Sequence, residues 1–470
     1  MKVLVFIEHD IICRHFISSG ALSELSKAAT LKFIFPDDGN KRMKLDPAKL
    51  PLDAPFERLP IDRVRQQTWR WLLFVDQLRW RAGEHEAAIR RMRRLTLGWK
   101  ATALLRAAGL PIGRTIFKKV VDRRLGQHPI SALSDLLDRE RPDVVLHPTV
   151  LDSVFLNDLV VECRERKLPL VAAMNSWDNP STKRSVVGKP DLLLVWGPQT
   201  KAHAQRFIGL ADHEVMEFGA AQFDVFQTAP RFDRSEFCRS LGIDAAKRLI
   251  LFAGSNAQTD EIGTLDRLDA EISSGTLPDV SIVYRPHPWG GGGRGGARLA
   301  SKQWSNIRID PTMNEFIQGV GRGENLISLP DYRDTHDLLC AVDAVVSPLS
   351  TILLEALLHG KQAIVFIPGG DLGSELLTGN LPFLHFSEFL HLPEIATART
   401  SSELSARISD VRHELETSQQ DKLRNAAEWF VRPFDRPWRE RIVELLFDIV
   451  RRKGGAHGRA SGALALDADS

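Results

Sequence analysis

The 470-residue chain is poor in the features that mark several large protein classes. Its four cysteines, Cys13, Cys163, Cys238 and Cys340, are far apart and show no metal-ligand pair spacing. Neither a zinc site nor a disulfide framework is therefore predicted, and a reducing cytoplasm fits this cysteine usage best. The formal net charge is only +2, which gives no overall reason to expect nucleic acid as a partner.

Long apolar runs are also missing from the sequence. No window approaches the roughly 18 apolar residues that a membrane-spanning helix needs. The apolar run 3–7 is too short for a secretory signal, and it ends in Glu8, His9 and Asp10. We therefore expect a cytoplasmic protein, and a peripheral position on the inner face of the plasma membrane stays open.

Strand and helix patterns alternate along two stretches of the chain. The first opens with "KVLVFI", "SSGALSELSKA" and "TLKFIF", and the second begins near residue 248 with "RLILFAGS" and continues through "VSIVYRPHP" and "DAVVSPLS". Such alternation predicts parallel sheets with helices on both faces. The fold class expected is α/β, with two Rossmann-like, doubly wound domains that face each other across a cleft.

Composition shifts suggest the domain limits. We expect an N-terminal domain over 1–235 and a C-terminal domain over 236–425. A helix over 426–452, near two proline breaks, is expected to pack back across the cleft. The small residues of 453–470 predict a disordered tail.

A basic helical insertion interrupts the first alternation at about 62–125. It contains 16 Lys and Arg residues against 5 Asp and Glu, interleaved with Trp69, Trp71, Trp80 and Trp99. One interpretation is a set of amphipathic helices that pack on the protein and turn their arginines to water. The other is a docking face for an anionic membrane or an anionic acceptor.

Two strand-end loops of the second half carry residues suited to phosphate, because open parallel sheets bind ligands beyond the carboxyl ends of their strands. Gly254 would let the backbone approach a phosphate, and Ser255 adds a hydroxyl donor. In "YRPHP", Arg285 offers a fork of donors, and His287 can donate to a phosphate oxygen or protonate a leaving phosphate. The alternative for this second loop is a rigid turn with one surface ion pair.

A third loop lies in "VVSPLSTILLEALLHG". A strand is predicted to end at Ser347 and a helix to start at Ser350 and Thr351, whose hydroxyls and nearby amides would form an anion site. Glu355, on the same helix face as Thr351, could accept bonds from a ribose or a base. The alternative is an ordinary helix start that Ser350 caps, with Glu355 paired to a lysine.

The first half offers candidates for a general base. Asp178 follows a predicted strand beside Trp177, whose face suits a sugar ring. His9 and Asp10 follow the first strand and are the other candidates. The alternative for each aspartate is a turn or cap residue.

These motifs together resemble the GT-B glycosyltransferases of bacterial capsule and surface-carbohydrate synthesis. "RPHP" at 285–288 is similar to their first nucleotide-binding motif, and "SPLST" at 347–351 with the later "GKQAIVF" is similar to their second. "SWDNPSTKR" and "VMEFGAAQFDVF" are also similar to segments of these enzymes. The resemblance covers roughly 140–450 and is near both the Kdo and sialyl transferases and the CDP-glycerol glycerophosphotransferases.

The resemblance implies a glycosyltransferase that uses a CMP- or UDP-type nucleotide-sugar donor. The C-terminal domain would bind the donor, with Arg285, His287, Ser350 and Thr351 holding its phosphate, and the N-terminal domain would bind a glycan, glycolipid or protein acceptor. Asp178 would be the general base. No suitable strand-end loop carries a "DxD" motif, so we expect no metal and no cofactor beyond the donor substrate.

Three alternatives remain open at this stage. One is a polyol-phosphate transferase of the CDP-glycerol type, which would use the same histidine and serine positions. Another is a sugar-nucleotide 2-epimerase, whose characteristic histidine and acidic positions are not evident in the sequence. The last is a catalytically inactive subunit of glycan assembly.

Overall fold

A computed structural model describes residues 1–37, 46–78, 83–151, 153–255, 259–288, 296–324, 329–369 and 375–463. The chain forms two compact units. Unit 1 contains residues 1–224 and the chain from residue 431 onward, and unit 2 contains residues 225–430. The division between the units therefore falls at 224/225, eleven residues before the expected 235/236, and the C-terminal segment belongs to unit 1.

Unit 1 contains a seven-stranded sheet in which every neighbouring pair is parallel. Its strands are β1 (Lys2–Phe6), β2 (Thr30–Pro36), β3 (Phe56–Leu59), β4 (Val144–His147), β5 (Leu170–Ala173), β6 (Leu192–Val195) and β7 (Val215–Glu217). The spatial order is β3-β2-β1-β4-β5-β6-β7, so the winding direction reverses between β1 and β4. The central strands are continuous apolar runs because helices cover both faces of such a sheet.

The helices of this part of unit 1 are α1 (Asp10–Ile12), α2 (Ser23–Ala28), α3 (Arg63–Leu78), α4 (Glu84–Leu97), α5 (Trp99–Ala108), α6 (Pro111–Gly126), α7 (Ser131–Glu140), α8 (Leu156–Glu165) and α9 (Pro198–Ile208). Local sequence explains their ends. Helix α9 starts with a proline, which needs no amide partner there, and stops at Gly209, whose φ of 78° is left-handed.

The predicted insertion is helical, and α3 to α6 lie between β3 and β4. A buried ion pair anchors the first of these helices, since Arg65 Nη2 lies 2.6 Å from the Asp158 carboxylate of α8. Arg65 Nη1 also donates to the carbonyl oxygens of Leu125 and His128, and Trp69 Nε1 donates to Asp158. Not every arginine of the insertion therefore faces water, because Arg65 is a buried structural residue.

Unit 2 contains a six-stranded parallel sheet with β8 (Arg248–Ala253), β9 (Val280–Arg285), β10 (Ile307–Ile309), β11 (Ala344–Ser347), β12 (Gln362–Phe366) and β13 (Ile395–Ala398). Its order, β10-β9-β8-β11-β12-β13, is that of a Rossmann sheet. Its helices are α10 (Arg234–Ser240), α11 (Glu261–Ser273), α12 (Asn314–Gly321), α13 (Tyr332–Ala341), α14 (Thr351–Leu358), α15 (Glu375–Asn380), α16 (Leu384–Leu390), α17 (Ser401–Ser409) and α18 (Thr417–Ala427).

The last helix, α19 (Trp438–Ala463), starts later than the predicted 426–452, because α18 and the proline-containing segment after it precede α19. Trp438, Ile442 and Leu446, spaced by four residues, are buried in the core of unit 1. The Asp224 carboxylate accepts the amide of Trp438 at 2.8 Å and fixes the start of the helix. The helix also covers 453–463 of the predicted disordered tail, and 464–470 lie outside the described residues.

Two parallel Rossmann-like units and a helical insertion confirm the predicted α/β fold class. Among the described helices, none combines the length and the apolar character that crossing a bilayer requires.

Candidate functional site

The carboxyl ends of four unit 2 strands form one continuous edge. Strand β8 ends at Ala253, which pairs with Arg285 at the end of β9. Ser347 ends the neighbouring strand β11, and Asp310 directly follows β10 on the other side. The strand order reverses between β8 and β11, so the loops that follow these two strands flank the crevice where such sheets bind ligands.

Arg285 is a buried cation at this edge. Its Nε is paired with the Asp310 carboxylate, and its Nη1 donates to the Thr335 hydroxyl of α13 at 2.9 Å. The remaining nitrogen, Nη2, is buried and has no hydrogen-bond partner among the described residues. The predicted fork of donors is therefore partly used, because Nε and Nη1 bind inside the protein, while Nη2 stays available for an anion.

Ser347 and the start of α14 lie on the other side of the crevice. The Ser347 side chain is fully buried, and its hydroxyl has no partner among the described residues. Ser350 has extended backbone before α14, and its side chain makes no capping hydrogen bond. The capping alternative for Ser350 is therefore wrong. Buried polar atoms without a partner are rare in folded proteins, so this helix start has the capacity to hold an anion.

Two further predicted residues lie on α14 itself. Thr351 is its first residue and is half-buried, next to the uncapped start of the helix. Glu355 is buried one turn further along the helix. Their proposed contacts with a phosphate and with a ribose or base stay predictions.

Gly254 and Ser255 differ from the expectation. The Gly254 amide donates to the Arg285 carbonyl at 2.8 Å, and the Ser255 amide donates to Glu261 Oε1 at 3.0 Å. Both amides are thus used inside the fold. Gly254 is required for close approach, because a Cβ there would lie 2.5 Å from Glu261 Oε2 and 2.9 Å from the His287 nitrogen. Its effect is to hold the "RPHP" loop against the end of β8.

His287 lies in this loop, two residues beyond the end of β9, and is half-buried. The structure therefore brings His287 to the same sheet edge as Arg285, as predicted. Its proposed role toward a phosphate stays a prediction.

Glu261, the first residue of α11, is a site residue that the sequence interpretation missed. It is 1% exposed and accepts the Tyr284 hydroxyl at 2.6 Å as well as the Ser255 amide. Burial raises its pKa to about 7, although these two hydrogen bonds act in the opposite direction. The group is therefore part-protonated near neutral pH, directly behind the loop that follows β8.

The corresponding edge of unit 1 is already occupied by the protein's own carboxylate. Glu8, after β1, accepts the amides of Val154 at 2.7 Å and Phe155 at 3.1 Å, just before α8. Its Oε1 also lies 2.8 Å from His147 Nε2. Burial opposes the charged form of Glu8, but His147 and these hydrogen bonds outweigh it and lower its pKa. An incoming phosphate would meet a negative charge there.

Asp178 and Trp177 are both more enclosed than the sequence suggested. Asp178 Oδ2 lies 2.7 Å from Lys183 Nζ, and its Oδ1 accepts the Asn179 side-chain amide at 3.1 Å. Trp177 is 2% exposed, so the expectation that its face is available to a sugar ring is wrong. Asp178 precedes a short π-helical turn, Asn179–Lys183, and its carbonyl oxygen accepts the amides of Thr182 at 2.9 Å and Lys183 at 3.2 Å.

His9 and Asp10 lie at the point where the winding of the unit 1 sheet reverses. Both are buried, and Asp10 begins helix α1. His9 Nδ1 accepts the Ile11 amide at 3.4 Å, so that nitrogen carries no proton and the neutral ring carries its hydrogen on Nε2. The structure thus brings His9 and Asp10 together but places Asp178 after a different strand, β5.

The insertion presents a second candidate surface. Its described helices α4 to α6, with the residue just before α6, expose large apolar side chains, each more than half accessible: Leu95, Trp99, Leu104, Leu110, Ile112, Ile116 and Val120. We call these residues the exposed apolar set. Exposed cations lie on the same helices: Arg91, Arg94, Lys100, Arg106, Arg114, Lys118, Lys119 and Arg123. Trp71 is half-buried under Arg124, and Trp80 lies outside the described residues.

No protein-family profile matches this sequence, and no curated protein sequence matches it. Solved structures do match most of the chain. S. aureus MnaA with UDP shares 12% identity over 94% of this chain and 95% of its own, with a TM-score of 0.51. A UDP-N-acetylglucosamine 2-epimerase shares 14% identity over 96% and 98%, with a TM-score of 0.50. A candidate enzyme of the same name from Listeria monocytogenes shares 12% over 94% of each chain, also at 0.50.

At these identities the comparisons establish the fold alone. They agree with the two-unit GT-B architecture that the sequence resemblance implied. The site residues are therefore assigned from the geometry of this chain and not from its structural neighbours.

The Glu261 environment gives a testable pH dependence. Folding raises the pKa of Glu261, so its contribution to stability is largest at low pH and is lost as the pH rises through about 7. Between about pH 5.5 and about pH 8, the free energy of unfolding should fall by about 2 kcal/mol more in the wild type than in Glu261→Gln. Urea unfolding at the two pH values measures this difference, and equal slopes in both proteins would contradict a buried, part-protonated Glu261.

Proposed function

We propose that this protein is a glycosyltransferase that moves a sugar from a CMP- or UDP-type nucleotide donor to a glycan, lipid-linked or protein acceptor. The observation that carries the proposal is the carboxyl edge of unit 2. There a buried guanidinium nitrogen of Arg285, the buried hydroxyl of Ser347 and the uncapped start of α14 flank one crevice. Each of these groups can donate to a phosphate oxygen.

The difference between the two units supports the division of roles. In unit 1 the Glu8 carboxylate binds the amides just before α8, beside the crevice. In unit 2 the Ser350 side chain does not cap α14. A negatively charged nucleotide is therefore favoured in unit 2 and disfavoured at the matching place in unit 1. This agrees with a donor unit and an acceptor unit.

The proposed reaction breaks the bond between the anomeric carbon and the donor phosphate oxygen. The acceptor oxygen forms the new bond to that carbon, and the nucleotide leaves with the electron pair of the broken bond. Arg285, Ser347 and the α14 amides stabilise the negative charge on the leaving phosphate, and His287 donates a hydrogen bond or a proton to it. In this proposal these groups stabilise the negative charge of the leaving phosphate without a metal ion.

The acceptor hydroxyl loses its proton to a base or to water. Asp178 is the weaker candidate, because its carboxylate already pairs with Lys183 at 2.7 Å. Asp10 lies at the winding reversal of unit 1 and is the better candidate on position. His9 is a weaker candidate, because its Nδ1 already accepts the Ile11 amide and its other ring nitrogen carries the hydrogen. We therefore propose Asp10 as the general base.

The 2-epimerase alternative gains support from fold, because two of the three structural neighbours named above bear that name. An epimerase would convert its nucleotide sugar without an acceptor, whereas a transferase releases the free nucleotide when the acceptor is supplied. A CDP-alcohol transferase would respond to CDP-glycerol and not to a nucleotide sugar. An inactive assembly subunit would turn over none of these compounds.

We further propose that helices α4 to α6 dock on an anionic lipid surface, which would hold the enzyme at the inner face of the membrane. The exposed apolar set would enter the headgroup region, and the exposed lysines and arginines would contact acidic lipids. If the insertion only packed on the protein and turned its arginines to water, its seven large apolar side chains would not need to be exposed beside them. The acceptor of such an enzyme would be lipid-linked.

His287→Ala should abolish transfer from a panel of CMP- and UDP-sugars, with a fall of at least about 100-fold, because general acid and charge stabilisation are lost together. The measurement is nucleotide release in the presence of a lipid-linked glycan extract. The exposed His391 of the same unit supplies the matched control, His391→Ala, which should keep wild-type activity. A fully active His287→Ala protein would remove His287 from the mechanism.

Membrane docking is tested by co-sedimentation with phosphatidylglycerol vesicles at low salt. Ile112→Glu with Ile116→Glu should weaken binding at least about 10-fold, because two charges enter the apolar contact, while nucleotide release from the donor stays unchanged. Met216→Glu, also at an exposed apolar position of unit 1, is the matched control and should bind normally. Equal sedimentation of all three proteins would show that the exposed apolar set does not contact lipid.

A further inference from the structure

Two histidines and a cysteine of unit 2 form a cluster away from the candidate phosphate site. His336 and Cys340 lie one turn apart on α13, and His359 directly follows α14. The potential ligand atoms of all three lie within 4.8 Å of one another. His336 Nδ1 is 2.9 Å from His359 Nε2, and the Cys340 sulfur is 3.7 Å from His336 Nδ1.

The outer nitrogens of both rings fix the inner ones. His359 Nδ1 lies 2.7 Å from the Glu355 carbonyl oxygen, and His336 Nε2 lies 2.9 Å from the Thr228 carbonyl oxygen. A carbonyl oxygen only accepts hydrogen bonds, so these two nitrogens carry the ring hydrogens. In neutral rings, His336 Nδ1 and His359 Nε2 are therefore both unprotonated, and their lone pairs face each other.

Two facing lone pairs at hydrogen-bond distance repel each other unless a positive centre lies between them. That centre is either an extra proton, which makes one ring an imidazolium, or a metal ion. The Cys340 sulfur, 3.7 Å from His336 Nδ1, favours the metal ion, because a thiolate beside the rings would offset part of the charge of that ion.

We propose that His336, Cys340 and His359 bind one zinc-type divalent ion. Zinc takes imidazole nitrogen and thiolate sulfur in a tetrahedral arrangement, with bonds of about 2.1 and 2.3 Å that separate two nitrogens by about 3.4 Å and a nitrogen from sulfur by about 3.6 Å. The sulfur already lies 3.7 Å from His336 Nδ1, and the two ring nitrogens must move apart from 2.9 Å to reach these separations. A backbone carbonyl bonded to the outer nitrogen of each histidine is also the arrangement that metal-binding histidines have.

The surroundings suit a site with three protein ligands and one position for a water ligand. The Phe226 ring stacks on His336 with the ring centres 5.8 Å apart and packs edge-on against His359 at 4.4 Å, so one side of the cluster is apolar. Cys340 is half-buried, and water can supply the fourth ligand. On binding, the Cys340 thiol releases its proton to solvent and the thiolate sulfur coordinates the ion.

The place of the cluster in the fold gives the ion a structural role. Helix α13 also carries Thr335, whose hydroxyl binds Arg285, and α14 begins at the candidate phosphate site. An ion between α13 and the end of α14 would join the two helices that position Arg285 and Ser350. His359 lies about 12 Å along the helix from Thr351, so the ion takes no part in the proposed reaction. The metal site does not depend on the proposed activity.

The test uses tag-free, full-length protein stripped with a chelator and then titrated with Zn²⁺ and with Co²⁺. We expect one equivalent to bind, a rise in melting temperature with Zn²⁺, and a tetrahedral cobalt spectrum with a thiolate-to-cobalt charge-transfer band. Cys340→Ser should lose the charge-transfer band, and His359→Gln should weaken binding at least about 10-fold. His213→Gln, at an exposed histidine of unit 1, is the matched control and should behave as wild type.

The wild-type titration decides the proposal even if a variant fails to fold. No stoichiometric binding, or a six-coordinate cobalt spectrum without a thiolate band, would overturn it. A cobalt band that survives in folded Cys340→Ser would also overturn it. In each of these cases the histidine pair would be held by a shared proton instead.

Discussion

The pairing of Arg285 with Asp310 is the interaction on which the unit 2 site depends. A buried guanidinium is stable only when its charge is met, and Asp310 and Thr335 bind two of its nitrogens. These contacts join β9, the residue after β10, and α13 at one sheet edge. They also leave Nη2 without a partner among the described residues, pointing to a second anion. The same contacts thus stabilise the edge and prepare it for a phosphate.

The two Rossmann-like units differ in what binds the helix start at the carboxyl edge of each sheet. In unit 1 the Glu8 carboxylate binds the amides that precede α8, so the protein's own charge satisfies that helix start. In unit 2 the start of α14 lacks a side-chain cap, and the nearby Ser347 hydroxyl is buried without a partner in the described structure. The same fold therefore has an edge that binds its own carboxylate in unit 1 and an edge with donors left for a ligand in unit 2. A few polar residues make this difference.

The sequence predicted the sheets and the strand-end positions well, because parallel strands are marked by continuous apolar runs and their ends must meet at one edge. It predicted Arg285, His287 and Ser347 for that reason. It could not show that Trp177 is buried, since this depends on packing between distant segments. Nor could it show that the Gly254 and Ser255 amides are used internally, since these bonds depend on the conformation of the loop after β8. Glu261 and His359 were missed for the same reason, although the i, i+4 spacing of His336 and Cys340 was a visible signal.

The central claim is that the carboxyl edge of unit 2 binds the phosphate of a nucleotide. Its most direct test is calorimetric titration of wild type and Ser347→Ala with CMP, CDP, UDP, GDP and ADP. The account predicts that a cytidine or uridine nucleotide binds the wild type selectively, and that the variant, which lacks the buried hydroxyl, binds it at least about 10-fold more weakly. Binding of none of the five, or equal affinity in both proteins, would contradict the account.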